Sequence, residues 1–123
     1  MEHSPGFLKL VEDAKSRVRQ TNVQEVRQRL DAKEPFTLID VREESEWAKG
    51  HLPGAIHLCK GIIERDIEKT IPIKETPMIL YCGGGYRSAL AADNLQRMGY
   101  TNVLSMDGGI RDWRNKGFPL TRG

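Results

Sequence analysis

The sequence is poor in cysteine. Two residues, Cys59 and Cys82, are too few for a disulfide framework in a chain of 123 residues. Thiols that stay free are maintained in a reducing compartment, which points to the cytoplasm, and the N-terminus has no apolar core of signal-peptide length. Charge of one sign is missing as well. The 19 basic and 17 acidic residues are spread along the chain and leave a net charge of +2. That balance removes the basic footprint expected of a nucleic-acid or membrane-surface partner. Repeats, low-complexity tracts and linker-like shifts in composition are also absent, so residues 1–123 read as one domain with a single core.

Against that background one segment stands out: Cys82-Gly83-Gly84-Gly85-Tyr86-Arg87-Ser88. The apolar run Met78–Tyr81 before it predicts a buried strand, and Ala91, Leu95 and Met98 after it recur at helical spacing. The cysteine therefore lies where a strand turns into a helix. A helix start presents unpaired amides and the positive end of the helix dipole, and both favour an anion such as a thiolate. A guanidinium nearby acts in the same direction, so Cys82 is placed to be nucleophilic at neutral pH. Consecutive glycines let backbone amides approach a ligand without Cβ atoms in the way. The segment is a candidate anion-binding cradle around a nucleophilic sulfur; the alternative is a flexible turn holding a structural cysteine. Four residues separate Cys82 from Arg87. That is one fewer than in protein tyrosine phosphatases, and a tighter loop suits delivery of a single sulfur atom better than a bulky tetrahedral phosphate.

Elsewhere, helices and strands alternate. Phe7, Leu8, Val11 and Ala14 mark an amphipathic helix after Ser4-Pro5, which packs across the domain edge or meets a partner. A short edge strand is expected over 17–21, and Asn22 caps a helix whose Val23, Val26 and Leu30 face the core. Strands follow at 36–41, 55–58, 78–81 and 103–106, with helices at 43–49, 62–70, after Arg87, and 110–116. Short apolar strands joined by helices predict an α/β fold with a mostly parallel five-stranded sheet covered on both faces and an extra N-terminal helix. Ligands of such sheets bind beyond the carboxyl ends of the strands, where Cys82 and Asp40-Val41-Arg42 both fall.

Four motifs in order resemble the rhodanese family: Phe36–Arg42, with its Asp-x-Arg ending; Glu46–Leu58, containing His51-Leu52-Pro53-Gly54-Ala55; the loop Cys82–Arg87; and Asp107–Trp113 followed by Gly117-Phe118-Pro119. The resemblance covers roughly residues 18–120, leaving 1–17 as a helical extension. It implies a sulfurtransferase without a cofactor, in which Cys82 takes sulfane sulfur from thiosulfate or a related small anionic donor, holds it as a persulfide, and passes it to cyanide, a thiol or a sulfur-relay protein. Relay or protein binding with little small-molecule turnover is the alternative. Phosphatase or arsenate reductase chemistry on the same fold is disfavoured by the loop length.

Gly83, Gly84, Gly85, Tyr86 and Arg87 are the candidate substrate-binding residues of the loop, through their amides. Arg87 either binds the donor's anionic end or turns outward to brace the loop through a carboxylate, and bracing is the preferred reading. Arg87 is the loop's single cation, which leaves weak attraction for a dianionic donor. Ser88 caps the helix or donates to the sulfur, and capping is the preferred reading. Arg42 is a candidate substrate contact, with structural pairing beside Asp40 as the alternative. Tyr86 walls the pocket or covers the loop. Trp47 and Trp113 read as core anchors, His51 as a structural hydrogen-bonding residue and Cys59 as a small buried hydrophobe. His51, His57, Cys59 and Cys82 are metal-ligand types, but they lack the paired spacing of common zinc sites, so no metal is expected.

Overall fold

The structure is a computed structural model that describes residues 3–122. Met1, Glu2 and Gly123, at the ends of the spans assigned above, lie outside the described residues. The elements run α1 (Pro5–Lys15), β1 (Arg19–Asn22), α2 (Val23–Asp31), β2 (Thr37–Asp40), α3 (Glu44–Ala48), β3 (Ile56–His57), α4 (Ile63–Thr70), β4 (Met78–Tyr81), α5 (Tyr86–Arg97), β5 (Val103–Asp107) and α6 (Gly109–Asn115). The five strands form one sheet in the order β1-β5-β4-β2-β3, and every pairing is parallel.

Local chemistry accounts for the element boundaries. Asn22 accepts a hydrogen bond from the Glu25 amide at 2.9 Å and starts α2. A reciprocal capping box between Glu43 and Glu46 starts the short α3. Ser4 holds the N-cap position of α1 without a side-chain cap bond, with Pro5 in the first turn.

Side chains of β4 alternate between two apolar clusters. Met78, Leu80 and Cys82 join Ile63 and Ile67 of α4 and Ala91, Ala92 and Leu95 of α5 on one face. Ile79 and Tyr81 join Val23 and Val26 of α2 and Ile110 and Trp113 of α6 on the other. The single core expected from length is thus two layers sharing one sheet. Each fully buried Leu or Ile contributes about 1.5–3 kcal/mol.

α1 lies outside these layers against α5, burying Val11 and Ala14. Leu8, expected on its inner face, is exposed together with Leu10. A helix resting on another helix at the periphery covers only a narrow stripe, and Phe7 turns instead toward the carboxyl end of the sheet. Among the described residues no helix is long and apolar enough to cross a membrane.

Candidate active site

After β2 the chain crosses to β3 on one side, then returns to β4 on the other. The switch in strand order opens a crevice between the carboxyl ends of β2 and β4. β4 delivers Cys82 there. The Cys82 Sγ accepts hydrogen bonds from the Gly85 amide at 3.1 Å and the Ser88 amide at 3.4 Å. Gly85 and Ser88 are the N-cap and third residues of α5, whose start has no side-chain cap. The sulfur therefore satisfies amides that a capping oxygen would otherwise take. The thiol also reaches Ser88 Oγ at 3.6 Å, and Ser88 Oγ bonds Ser105 Oγ at 2.8 Å. The capping role preferred for Ser88 is corrected: the residue sits inside the first turn of α5, which has no side-chain cap, and its hydroxyl accepts from the thiol instead.

The three loop glycines differ in what they do. Gly85 has φ +98°, and a Cβ there would meet the Asp107 backbone at 3.2 Å. Gly83 and Gly84 have ordinary φ values, and a Cβ at Gly84 would only touch the Arg111 guanidinium at 3.5 Å. Behind the loop, α6 donates two backbone bonds, Ile110 N to Cys82 O at 2.9 Å and Arg111 N to Gly83 O at 3.0 Å. The approach is so close that a Cβ on Gly109 would lie 2.5 Å from both carbonyl oxygens.

Arg87 turns to α3. Its Nη1 and Nη2 donate to the Glu46 carboxylate at 2.7 and 3.0 Å, which is the bracing arrangement. The Arg87 guanidinium holds the Glu46 carboxyl down at about 2. Arg42 is buried and committed to Asp40, with Nε and Nη2 on the carboxylate and a further Nη2 bond of 2.7 Å to the Gly50 carbonyl. Tyr81 donates to the same carboxylate at 2.7 Å while accepting from the Leu52 amide at 3.0 Å. Burial, then the Asp40 charge, push the Tyr81 phenol above its ordinary pKa. This network ties β2 to β4 beneath the crevice.

A cavity of about 550 Å³ opens over the sulfur. Cys82, Gly83, Gly84, Tyr86, Arg87 and Arg42 line it together, whereas Gly85 contributes its amide to the sulfur from outside the lining. Tyr86 forms part of the wall. The lining also includes Glu46, Phe7 and Arg111, which the sequence places in a helix or a motif without a site role, and His3 and Arg114. The loop holds one cation, but α6 brings two more to the cavity. Gly108-Gly109 ahead of an amphipathic turn and Ser105 within an apolar strand were the signals available for α6 and the serine pair.

Two further expectations are corrected. Trp47 is only half-buried and stacks on His51, with ring centroids 3.5 Å apart, so it braces the histidine segment and does not anchor the core. Cys59 is half-exposed with its sulfur 3.7 Å from a Glu43 oxygen, because the residue follows the sheet edge. Trp113 is fully buried. His51 is buried with Nδ1 3.4 Å from the Trp47 carbonyl, and His57 Nε2 donates to the Arg42 carbonyl at 2.7 Å. Among the described residues no group of three or more His, Cys, Asp or Glu side chains is placed to hold a metal ion.

The sequence profile of the rhodanese-like domain matches residues 22–116. YrkF of Bacillus subtilis (strain 168), described as a candidate sulfur carrier protein, is 31% identical over 101 residues, 82% of this chain and 54% of that protein. The chain thus spans about half the length of that relative. A protein of Allochromatium vinosum named sulfurtransferase is 34% identical over 103 residues, 84% of this chain and 94% of that one. Among solved structures, a Rhodopseudomonas palustris protein titled as of unknown function and a possible tyrosine phosphatase superposes with a TM-score of 0.85 at 26% identity, covering 98% of each chain.

Proposed function

Because this chain belongs to the rhodanese-like domain family, we propose that it is a sulfurtransferase in which Cys82 carries sulfane sulfur as a persulfide. The observation that supports this best is the Cys82 sulfur itself, held by the Gly85 and Ser88 amides at the base of a cavity wide enough for a donor.

In the first half-reaction the Cys82 thiolate attacks the sulfane sulfur of a small anionic donor. With thiosulfate, a new S–S bond forms to Cys82, the donor's S–S bond breaks with its electron pair, and sulfite leaves. In the second, an acceptor nucleophile takes the outer sulfur and the Cys82 thiolate is restored; cyanide gives thiocyanate and a thiol gives a new persulfide. The sulfur stays covalently bound throughout, so no cofactor takes part. The preorganised amides hold the negative charge that the sulfur carries in both states, and donors of this kind contribute about 3 kcal/mol where water is excluded. Arg87 acts through its Glu46 brace, keeping the start of α5 in register with the sulfur. Gly83, Gly84, Tyr86 and Arg42 border the space the donor enters.

Likeness to a candidate sulfur carrier favours a second reading, in which the acceptor is a protein and Cys82 relays its outer sulfur. Both readings share the persulfide and a reducing cytoplasmic setting. Phosphatase chemistry is less well served, because four residues between Cys82 and Arg87 enclose less room than a phosphate loop.

Intact mass of the reduced protein after thiosulfate, followed by a cyanide chase, tests the proposal. One added sulfur that cyanide removes, and that Cys82→Ser never gains, is the expected result. A folded, reduced protein that gains no sulfur from thiosulfate or from an organic persulfide, yet hydrolyses an aryl phosphate, overturns it.

A further inference from the structure

Ser105 places a hydroxyl where the strand pattern calls for an apolar side chain. It pairs with Gln20 of β1 on one side and Leu80 of β4 on the other. By strand alternation it shares the face of Val103, in the apolar layer that also holds Cys82, Ala91 and Ala92. Ser105 is buried, and among the described residues its hydroxyl has one hydrogen-bond partner, Ser88 Oγ at 2.8 Å. Ser88 is buried as well, and its hydroxyl lies 3.6 Å from the Cys82 sulfur. Neither serine lines the cavity above that sulfur, so the pair reaches it from the protein side.

The hydrogens of this chain can be counted. Cys82 Sγ, Ser88 Oγ and Ser105 Oγ are joined by two links, and two links use two hydrogens. A thiol with two hydroxyls carries three, which leaves one buried donor without a partner among the described residues, a costly state. A thiolate, or a persulfide with its charge on the outer sulfur, leaves two hydroxyl hydrogens for the two links. The chain then runs in one direction, Ser105 donating to Ser88 and Ser88 donating to the sulfur. Ser88 has a competing acceptor, because a serine within a helix readily turns its hydroxyl to the carbonyl three or four residues back. The Ser105 hydroxyl holds it off that carbonyl and on the sulfur.

We infer that Ser105 is a positioning residue, which from β5 orients the Ser88 hydroxyl as a hydrogen-bond donor to the Cys82 sulfur when that sulfur becomes an anion. The inference rests on the sulfurtransferase reading above. It bears on discharge of the persulfide more than on its loading. While Cys82 carries the outer sulfur, Sγ is neutral; when an acceptor takes that sulfur, the electron pair of the S–S bond returns to Sγ, and Ser88 meets the new charge without giving up its proton. In loading, the same bond steadies the thiolate before it attacks, so a larger thiolate population is offset by lower nucleophilicity.

The test separates the two half-reactions in single turnovers of the full chain. Protein loaded with thiosulfate or an organic persulfide, then freed of donor, is mixed with cyanide and thiocyanate is followed. Loading is timed separately, at a pH where its rate has levelled off. Ser105→Ala should discharge about tenfold more slowly, the effect of weakening a hydrogen bond to a charged group, while its loading changes by less than about threefold. Ser105→Thr, which keeps the hydroxyl on a residue suited to a strand, should recover most of the discharge rate. Ser88→Ala should discharge at least as slowly as Ser105→Ala, and adding Ser105→Ala to it should change nothing further, because the two hydroxyls act through one bond to the sulfur. Discharge at the wild-type rate in Ser105→Ala, equal slowing of both half-reactions, or losses that multiply in the double variant overturns the inference while leaving the sulfurtransferase intact. A wild type that acquires no Cys82 persulfide from either donor overturns both.

Discussion

Arg87 and Glu46, 41 residues apart, meet as a two-pronged pair with N–O distances of 2.7 and 3.0 Å. The same carboxylate accepts the Glu43 amide at 3.0 Å, so one side chain closes the start of α3 and steadies the start of α5. The two motifs that meet here, the one that opens at Glu46 after β2 and the cysteine loop after β4, come from opposite sides of the strand-order switch.

The pair makes stability depend on acid. The Glu46 pKa is lowered from an ordinary 4.5 to about 2, so its contribution is fully present above about pH 4.5 and is lost as pH falls toward 2. The pair is about one-third exposed, and solvent screening limits its worth to about 1 kcal/mol. Urea midpoints of wild type and Glu46→Gln should differ at pH 7 and converge through that acid range. A gap that widens on acidification contradicts this sign.

Gly109 and Gly84 should respond very differently to one added methyl group. At Gly109 a Cβ would lie 2.5 Å from two backbone oxygens, and φ is +58°. Gly109→Ala is expected to cost more than about 2 kcal/mol and to slow persulfide formation by shifting the loop. Gly84→Ala should stay within about 0.5 kcal/mol, since its Cβ makes ordinary contact with a flexible side chain. Denaturant unfolding with a thiosulfate assay on each variant reads both effects.

Ser88 and Ser105 share a hydrogen bond in a buried setting. Ser88→Ala strands the Ser105 hydroxyl and should cost about 1–3 kcal/mol. The double alanine variant should be less destabilised than the sum of the two single variants, because no orphan remains. Additive losses in a double-mutant cycle would show that the two hydroxyls act independently.

Tyr81→Phe removes the bond to Asp40 and leaves the buried Leu52 amide without its acceptor. A loss of about 1–3 kcal/mol is expected in thermal or urea unfolding. An unchanged midpoint would mean that water reaches the Leu52 amide.

Much of this arrangement was legible in the chain. The strand at Met78–Tyr81, the glycine loop and the helix after it follow from local periodicity, and local chemistry sufficed to place Cys82 at a helix start. The Asn22 cap was equally local. What escaped was contact made over distance. Nothing within Glu46-Trp47-Ala48 says that its carboxylate meets Arg87, and no spacing rule carries Arg111 from α6 to the back of the cysteine loop. Trp47 was misread because a tryptophan near a turn stacks on a histidine as readily as it fills a core. Leu8 was misread because helical periodicity gives a face but not the width of the surface it will meet.

The clasp between α6 and the loop carbonyls of Cys82 and Gly83 also has a meaning in time. A chain emerging from the ribosome contains its cysteine well before Gly109, Ile110 and Arg111 exist, and until those amides arrive the Cys82 and Gly83 carbonyls have no partner to hold their peptide planes. Those planes lead into Gly85, whose amide belongs to the next peptide and is directed at the sulfur. The loop that carries the sulfur is thus clamped by residues made 28 positions after those they bind, and its final geometry waits on the last helix of the domain.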